Sequence, residues 1–66
     1  MFSKRLRELR LEKGLTQQQL ADTLKVDRTT VLKWETEGRE PSFAMVIQIA
    51  RFFEVSCDYL LGNTDY

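Results

Sequence analysis

Apolar residues recur along this chain at the intervals expected of helical faces. The first face is formed by four positions spaced by three and four residues: Phe2, Leu6, Leu9 and Lys13. We predict a helix there, with Ser3 as its N-cap and Lys13 near its end. Gly14 fits the left-handed position that terminates a helix.

Two shorter helices are predicted next, each from the chemistry of its start. Thr16 and Gln19 form a capping box, which predicts a second helix that runs to about Leu24. After a short turn, Asp27 is the predicted N-cap of a third helix that ends near Glu35. Residues 36–41 are polar and include glycine and proline, so we predict a loop there.

The third predicted helix has two unlike sides. Val31 and Trp34 are expected to face the interior. The other side is polar and partly basic, and it is formed by four residues: Arg28, Thr29, Thr30 and Lys33. Two short helices joined by a tight turn, with such a side on the second, have the layout of a helix-turn-helix. The second helix of that motif lies in the major groove of DNA.

The second half of the chain predicts two more helices. Ser42 is the expected N-cap of a fourth helix, whose broad apolar face holds seven residues: Phe43, Val46, Ile47, Ile49, Ala50, Phe52 and Phe53. A last short helix follows Ser56 and ends at Gly62. No strand pattern or internal repeat is evident. The sequence therefore predicts one all-α domain, a compact five-helix bundle over residues 1–62, followed by a polar tail over residues 63–66.

Charge and composition indicate the kind of partner and the cellular compartment of the protein. Residues 1–33 hold eight basic and four acidic residues, a net charge of +4, and residues 34–66 hold two basic and six acidic residues, a net charge of −4. A dipolar chain of this kind presents a basic face to a polyanion. No apolar run is long enough to span a membrane. The lone cysteine, Cys57, fits a reducing, cytoplasmic setting.

Enzymatic chemistry finds no support in the residue types. The chain has no histidine, and its single cysteine has no partner base. It also lacks a metal-ligand cluster and a glycine-rich phosphate loop. We therefore expect a protein that is not an enzyme, with no metal, no cofactor and no evident small-molecule ligand.

Six short motifs stand in one register across the chain. They are Leu6-Arg7-Glu8-Leu9-Arg10, Lys13-Gly14-Leu15-Thr16-Gln17, Leu20-Ala21, Trp34-Glu35, Arg39-Glu40-Pro41-Ser42 and Val55-Ser56-Cys57-Asp58-Tyr59-Leu60-Leu61-Gly62. In combination they resemble the phage repressor/Cro type of helix-turn-helix DNA-binding domain, the lambda repressor-like fold. The resemblance implies a homodimer that binds a palindromic operator and represses transcription.

The resemblance also implies roles for particular residues. It assigns base reading to three of them: Arg28, Thr29 and Lys33. It assigns a phosphate contact to Gln17, and it pairs Arg10 of the first helix with Glu35 at the end of the third. The turn residue that is usually glycine in the family is Lys25 here. A left-handed lysine costs about 1 kcal/mol relative to glycine.

Elementary chemistry agrees with these roles. Arg28 can donate two hydrogen bonds to guanine O6 and N7. Lys33 lies roughly 140° around the helix axis from Arg28, so it reads either a base or a phosphate. The backbone N–H of Gln17 at a helix start is a ready phosphate donor. Three more residues are candidates for positioning on phosphates: Thr30, Lys25 and Arg39.

Four residues toward the end of the chain supply more apolar surface than a small core needs: Phe52, Cys57, Tyr59 and Leu60. They form either a dimer surface or the layer that closes the monomer's own core.

Together these observations predict a cytoplasmic, sequence-specific transcriptional regulator, most simply a repressor. Its expected partners are double-stranded DNA and a second copy of the chain. One alternative is a protein-interaction module, such as an antitoxin or an antirepressor-type regulator. Another is that the chain is the DNA-binding half of a longer repressor.

Overall fold

The computed structural model describes residues 1–65, and regular structure in this range is helical. Five helices follow one another: α1 (Phe2–Glu12), α2 (Gln17–Leu24), α3 (Arg28–Thr36), α4 (Phe43–Phe53) and α5 (Cys57–Leu61). The predicted five-helix fold is confirmed. None of these helices has the length and apolar character needed to cross a bilayer. The domain boundary after residue 62 stays a prediction, and Tyr66 of the predicted tail lies outside the described residues.

Three helices begin where their local chemistry predicts. The Thr16 hydroxyl accepts a hydrogen bond from the Gln19 backbone N–H at 3.0 Å, and the Gln19 side chain accepts one from the Thr16 N–H at 2.8 Å. Ser42 and Ser56 each accept a bond from the N–H three residues further on, at the starts of α4 and α5. These caps supply acceptors to N–H groups that have none within the helix.

The first and third helices start differently from the prediction. The Ser3 hydroxyl donates a hydrogen bond to the Trp34 carbonyl oxygen at 2.5 Å. Ser3 as N-cap is therefore wrong, because a contact with α3 occupies its side chain and α1 begins at Phe2. Asp27 is the N-cap residue of α3, but its side chain makes no cap hydrogen bond with the described N–H groups. The helix ends at Thr36, one residue later than predicted.

The core receives one fully buried large side chain from each helix: Leu6, Leu20, Val31, Ile49 and Leu60. Complete burial of such a side chain is worth about 1.5–3 kcal/mol. Helix α3 packs against α1 and α2, while α5 packs against α1 and α4. Because α1 contacts both α3 and α5, it joins the two halves of the bundle.

The apolar face of α4 is broader than the core can cover. Val46, Ile49 and Phe53 are buried as predicted, but Phe43 is 83% exposed and Ile47 is 42% exposed. Phe43 and Ile47 lie on the predicted apolar face, but the core does not bury them. Both residues fit the helical period, but no neighbouring helix covers that edge of α4 within the described chain.

Candidate nucleic-acid interface

Helix α3 carries the predicted base-reading residues on one exposed flank. Val31 is fully buried and Trp34 is 6% exposed, so these two side chains fix the helix to the core. The opposite flank, formed by Arg28, Thr29 and Lys33, is exposed to solvent. Within residues 1–65, neither of its two cations has an ion-pair partner. The flank therefore presents two free positive charges and a hydroxyl on a rigid rod.

A buried ion pair holds the C-terminal end of α3 against α1. Arg10 Nε lies 2.7 Å from Glu35 Oε2, and Arg10 Nη2 donates to Glu35 Oε1 at 2.9 Å. The two side chains are only 9% and 1% exposed. Hydrogen bonding to Glu35 raises the pKa of Arg10 above its ordinary value, against an opposing effect of burial. The guanidinium is therefore always charged, and its fork fixes the orientation of the carboxylate.

The same ion pair also fixes the start of α2. Arg10 Nη1 donates to the Leu15 carbonyl oxygen at 2.8 Å, just before the Thr16 cap. Gln17 Nε2 donates to Glu35 Oε1 at 3.2 Å, which joins α2 to α3. One carboxylate thus aligns the first turn of α2 with the end of α3. The backbone N–H groups of such a first turn are suited to a phosphate oxygen.

The turn between α2 and α3 is tight and carries a cation. Lys25 has φ 60° and ψ 44°, the left-handed conformation, and its side chain is exposed. Its N–H and that of Val26 donate to carbonyl groups in the last turn of α2, Ala21 and Asp22. A residue in this conformation closes the helix without leaving those carbonyls unpaired.

The remaining phosphate candidates differ in exposure. Thr30 is half-buried at the edge of the α3 flank. Arg39 lies in the loop between α3 and α4, where its side chain is 67% exposed and its Nε is 4.0 Å from a Glu37 carboxylate oxygen. A pair this long and this exposed holds Arg39 only weakly, so its charge stays available.

The four candidate dimer residues do not behave alike. Leu60 is fully buried, so for this residue the alternative holds: it closes the monomer's own core, and its assignment to a dimer surface is wrong. Phe52, Cys57 and Tyr59 are half-buried and pack against that core. Their apolar surface is already largely used within the monomer.

The sequence matches the family model described as helix-turn-helix over residues 6–60. The chain belongs to the helix-turn-helix family. The match covers α2 and α3, the pair of helices that gives the family its name, together with α4 and most of α1 and α5. The resemblance to phage-type repressors is also confirmed, because a phage transcriptional repressor stands among the helix-turn-helix relatives of this chain.

Curated helix-turn-helix relatives are transcriptional regulators from bacteria and from a phage. The chain is 41% identical to the transcriptional activator BcrR of Enterococcus faecalis, over 97% of this chain and 31% of that protein. It is 43% identical to the uncharacterized transcriptional regulator YqaE of Bacillus subtilis, over 92% of this chain and 53% of that protein. It is 31% identical to the transcriptional repressor RstR of the cryptic phage CTXphi in Vibrio cholerae, over 98% of this chain and 59% of that protein.

These matches identify the chain as a helix-turn-helix domain of the kind found in transcriptional regulators. The chain spans between about a third and three fifths of the length of these relatives. The shared part is therefore the helix-turn-helix domain, and the rest of each relative lies outside the comparison.

Two features of the site escaped prediction from the sequence. The bond from Gln17 to Glu35 joins residues far apart in the chain, and no local pattern indicates it. Arg5 was not singled out, yet its Nη1 donates to the Tyr59 carbonyl oxygen at 2.6 Å and its guanidinium lies 4.2 Å from the centre of the Tyr59 ring. Both contacts join residues that are distant in the sequence, so only the packed structure reveals them.

Proposed function

We propose that this chain reads operator DNA with the exposed flank of α3 and binds as a homodimer to two halves of a palindrome. The observation that supports this most directly is the arrangement of α3. Val31 and Trp34 anchor one side in the core, while Arg28 and Lys33 stand free on the other. A rigid helix with unpaired cations on its outer flank suits the major groove, where base edges carry a distinct pattern of acceptors.

The proposed roles follow the exposure of each residue. Arg28, near the start of α3, donates two hydrogen bonds to guanine, and Thr29 contacts a base edge beside it. Lys33 reads a base further along the groove. Positioning on phosphates falls to four residues around them: Gln17, Lys25, Thr30 and Arg39. Arg10, Glu35 and Trp34 act structurally, since they hold α3 in place without touching DNA.

We propose repression as the outcome of binding. Occupying a promoter excludes polymerase, and this needs no surface beyond the DNA-binding fold. The relative BcrR is named an activator, but the matched region is less than a third of that protein. The relative RstR is named a repressor, and the match covers more than half of that protein. We propose further that the chain binds DNA without catalysing a reaction. We also propose that it lies in the cytoplasm, since bacterial DNA lies there.

The two alternative functions differ in whether the chain itself binds DNA. An antitoxin or antirepressor-type module would use a protein partner and leave the α3 flank idle. A DNA-binding half of a longer repressor would read DNA in the same way, and the greater length of the relatives favours this version. The proposed function and the DNA-binding half of a longer repressor are therefore tested by the same experiment on this chain.

Selection of binding sites from a random DNA pool tests the proposal. We expect enrichment of a palindrome whose half-sites lie about one helical turn, roughly 34 Å, apart. Arg28→Ala should lose roughly 1–3 kcal/mol of discrimination at one base-pair position in each half-site. Fluorescence anisotropy on the selected duplex and its single-base variants measures this loss. Failure to enrich any sequence would contradict the proposed function.

Two controls separate base reading from simple charge attraction. Arg28→Lys keeps the charge but lacks the planar fork, so it should lose the same discrimination while retaining more affinity for random DNA. The wild-type protein should lose affinity with rising salt, at a log–log slope of about −0.9 for each contacted phosphate. Equal losses on the selected and random duplexes for Arg28→Ala would reduce its role to a phosphate contact.

A further inference from the structure

An apolar patch on the outer side of α4 remains unexplained by DNA binding. It consists of Phe43, Ala44 and Ile47, which we call the α4 patch. Phe43 is 83% exposed and Ile47 is 42% exposed, and the two lie one helical turn apart on the same flank. An exposed aromatic residue beside other apolar groups marks an interaction surface more often than a scattered single residue does.

A shallow groove borders the α4 patch. It has a volume of about 200 Å³ and is lined by Glu40, Pro41, Phe43, Val46 and Leu61. Pockets for drug-sized molecules usually have about 300–1,000 Å³. The groove therefore has room for one or two side chains of a protein partner rather than for such a molecule.

We propose that the occupant is a second copy of this chain, docked by antiparallel pairing of the two α4 helices. This inference deepens the proposed function, because it assigns the surface by which the homodimer forms. A two-fold interface uses the same patch on both copies and must be complementary to itself. Antiparallel pairing meets this condition, since it lays the start of one helix against the end of the other.

Charges at the two ends of the α4 patch fit that arrangement. Glu40 lies just before α4, and Arg51 lies one turn beyond Ile47 on the same exposed flank. Within residues 1–65, neither Glu40 nor Arg51 has an ion-pair partner. Antiparallel pairing places Glu40 of each copy beside Arg51 of the other, with Phe43 and Ile47 between the two pairs. A different partner whose docking surface carries charges of only one sign would pair with either Glu40 or Arg51, but not with both.

The size of the patch sets the strength of the dimer. A standard interface takes about 800 Å² from each partner, close to a fifth of the 4406 Å² surface of this chain. Phe43, the largest contributor, exposes only on the order of 150 Å². We therefore expect weak self-association in solution and strong dimerisation on DNA, where adjacent half-sites raise the effective concentration.

Sedimentation equilibrium of the purified chain, from micromolar to millimolar concentration, tests the surface without DNA. We expect the wild-type protein to self-associate and Phe43→Ser to weaken the association at least tenfold. Leu11→Ser is the matched control, because Leu11 is 54% exposed on α1 and far from this patch in sequence. A wild-type chain that stays monomeric at millimolar concentration, or an equal loss in the control, overturns the proposal.

A charge exchange tests the antiparallel arrangement. Glu40→Arg alone and Arg51→Glu alone each place like charges together at both ends of the dimer. Both single variants should dimerise more weakly than the wild type, and the double variant should recover most of the loss. Losses that simply add in the double variant would overturn the pairing of Glu40 with Arg51.

Measurement on DNA distinguishes this inference from the proposed function. On a duplex with one selected half-site, Phe43→Ser should bind as the wild type does. On the full palindrome it should lose cooperative binding. Unchanged cooperativity overturns the α4 surface while leaving DNA binding intact. If the wild-type chain binds no DNA, the proposed function fails, and the sedimentation results still decide whether the α4 patch forms the dimer.

Discussion

The bundle contains the same corner twice, once between α2 and α3 and once between α4 and α5. In each, a helix ends in a non-glycine residue in the left-handed conformation: Lys25 with φ 60° and ψ 44°, and Glu54 with φ 57° and ψ 42°. The next residue is a valine in both cases, and its N–H donates at 3.0 Å to the carbonyl oxygen of a buried alanine, Ala21 or Ala50.

The helices that leave the two corners differ greatly. Helix α3 has nine residues and exposes Arg28, Thr29 and Lys33. Helix α5 has five residues and carries Asp58 in its first turn. The corner residue itself is basic in the first corner and acidic in the second. A shared backbone geometry therefore does not determine function, which depends on the side chains exposed around it.

Each of these second helices is fastened to α1 by one arginine. Arg10 forms the buried ion pair with Glu35 of α3. Arg5 donates to the Tyr59 carbonyl oxygen of α5, and its guanidinium also lies over the Tyr59 ring. The first contact is a buried pair of charges. The second joins a charge to the carbonyl oxygens of Tyr59 and Thr64 and to an aromatic ring, with the exposed carboxylate of Asp65 3.8 Å away. We expect the two contacts to differ in their cost when broken.

Breaking the ion pair should have the largest effect on stability. Glu35→Ala leaves the Arg10 guanidinium buried without its counter-charge, which costs about 3–5 kcal/mol. Urea denaturation of the purified variant measures the loss in the free energy of unfolding. Glu37→Ala removes an exposed acid two residues away and should change that free energy by less than about 0.5 kcal/mol.

A paired replacement separates the burial of charge from the loss of packing. Arg10→Met with Glu35→Leu removes both charges together, and we expect it to regain much of what Glu35→Ala loses. Stability of Glu35→Ala equal to that of Glu37→Ala would mean that the pair does not fasten α3 to α1.

Removing the second fastening should have a smaller effect. Arg5→Met keeps a long apolar side chain but loses the hydrogen bonds to the Tyr59 and Thr64 carbonyl oxygens, the contact with the Tyr59 ring and the exposed pairing with Asp65. We expect a loss of about 1–3 kcal/mol, because a charged donor and a cation–π contact disappear together. Arg7→Met, at an exposed position of the same helix, is the control and should be nearly neutral. Equal stability of the two variants would show that α5 does not depend on Arg5.

Local chemistry accounts for the parts of the fold that the sequence predicted well. The Thr16 box and the caps at Ser42 and Ser56 involve residues three apart, so their spacing is visible in the sequence. Contacts between distant helices account for the errors. Ser3 is occupied by the carbonyl of Trp34, and the exposure of Phe43 depends on which helices lie beside α4.

In the candidate site, too, some features follow from the local sequence and others depend on the folded structure. The outer flank of α3 follows from helical periodicity, so Arg28, Thr29 and Lys33 were placed correctly on an exposed surface. Their contacts with DNA stay predictions. The repeated corner was not visible in the sequence, because the two corners share little besides an alanine and a valine. Its left-handed residues, Lys25 and Glu54, are unlike in charge, and the repetition lies in their backbone angles.

Replacing the left-handed residue of each corner with glycine should have the smallest effect on stability. It should also distinguish the two corners most clearly. Lys25→Gly and Glu54→Gly both relieve a left-handed side chain, and each should raise the free energy of unfolding by up to about 1 kcal/mol. On the selected duplex only Lys25→Gly should weaken binding. It should also make the log–log salt slope shallower by about 0.9, the value expected for one phosphate contact. Thermal unfolding and salt-dependent anisotropy measure the two effects. If both variants bind DNA as the wild type does, Lys25 makes no phosphate contact and the corners differ only in the helices that follow them.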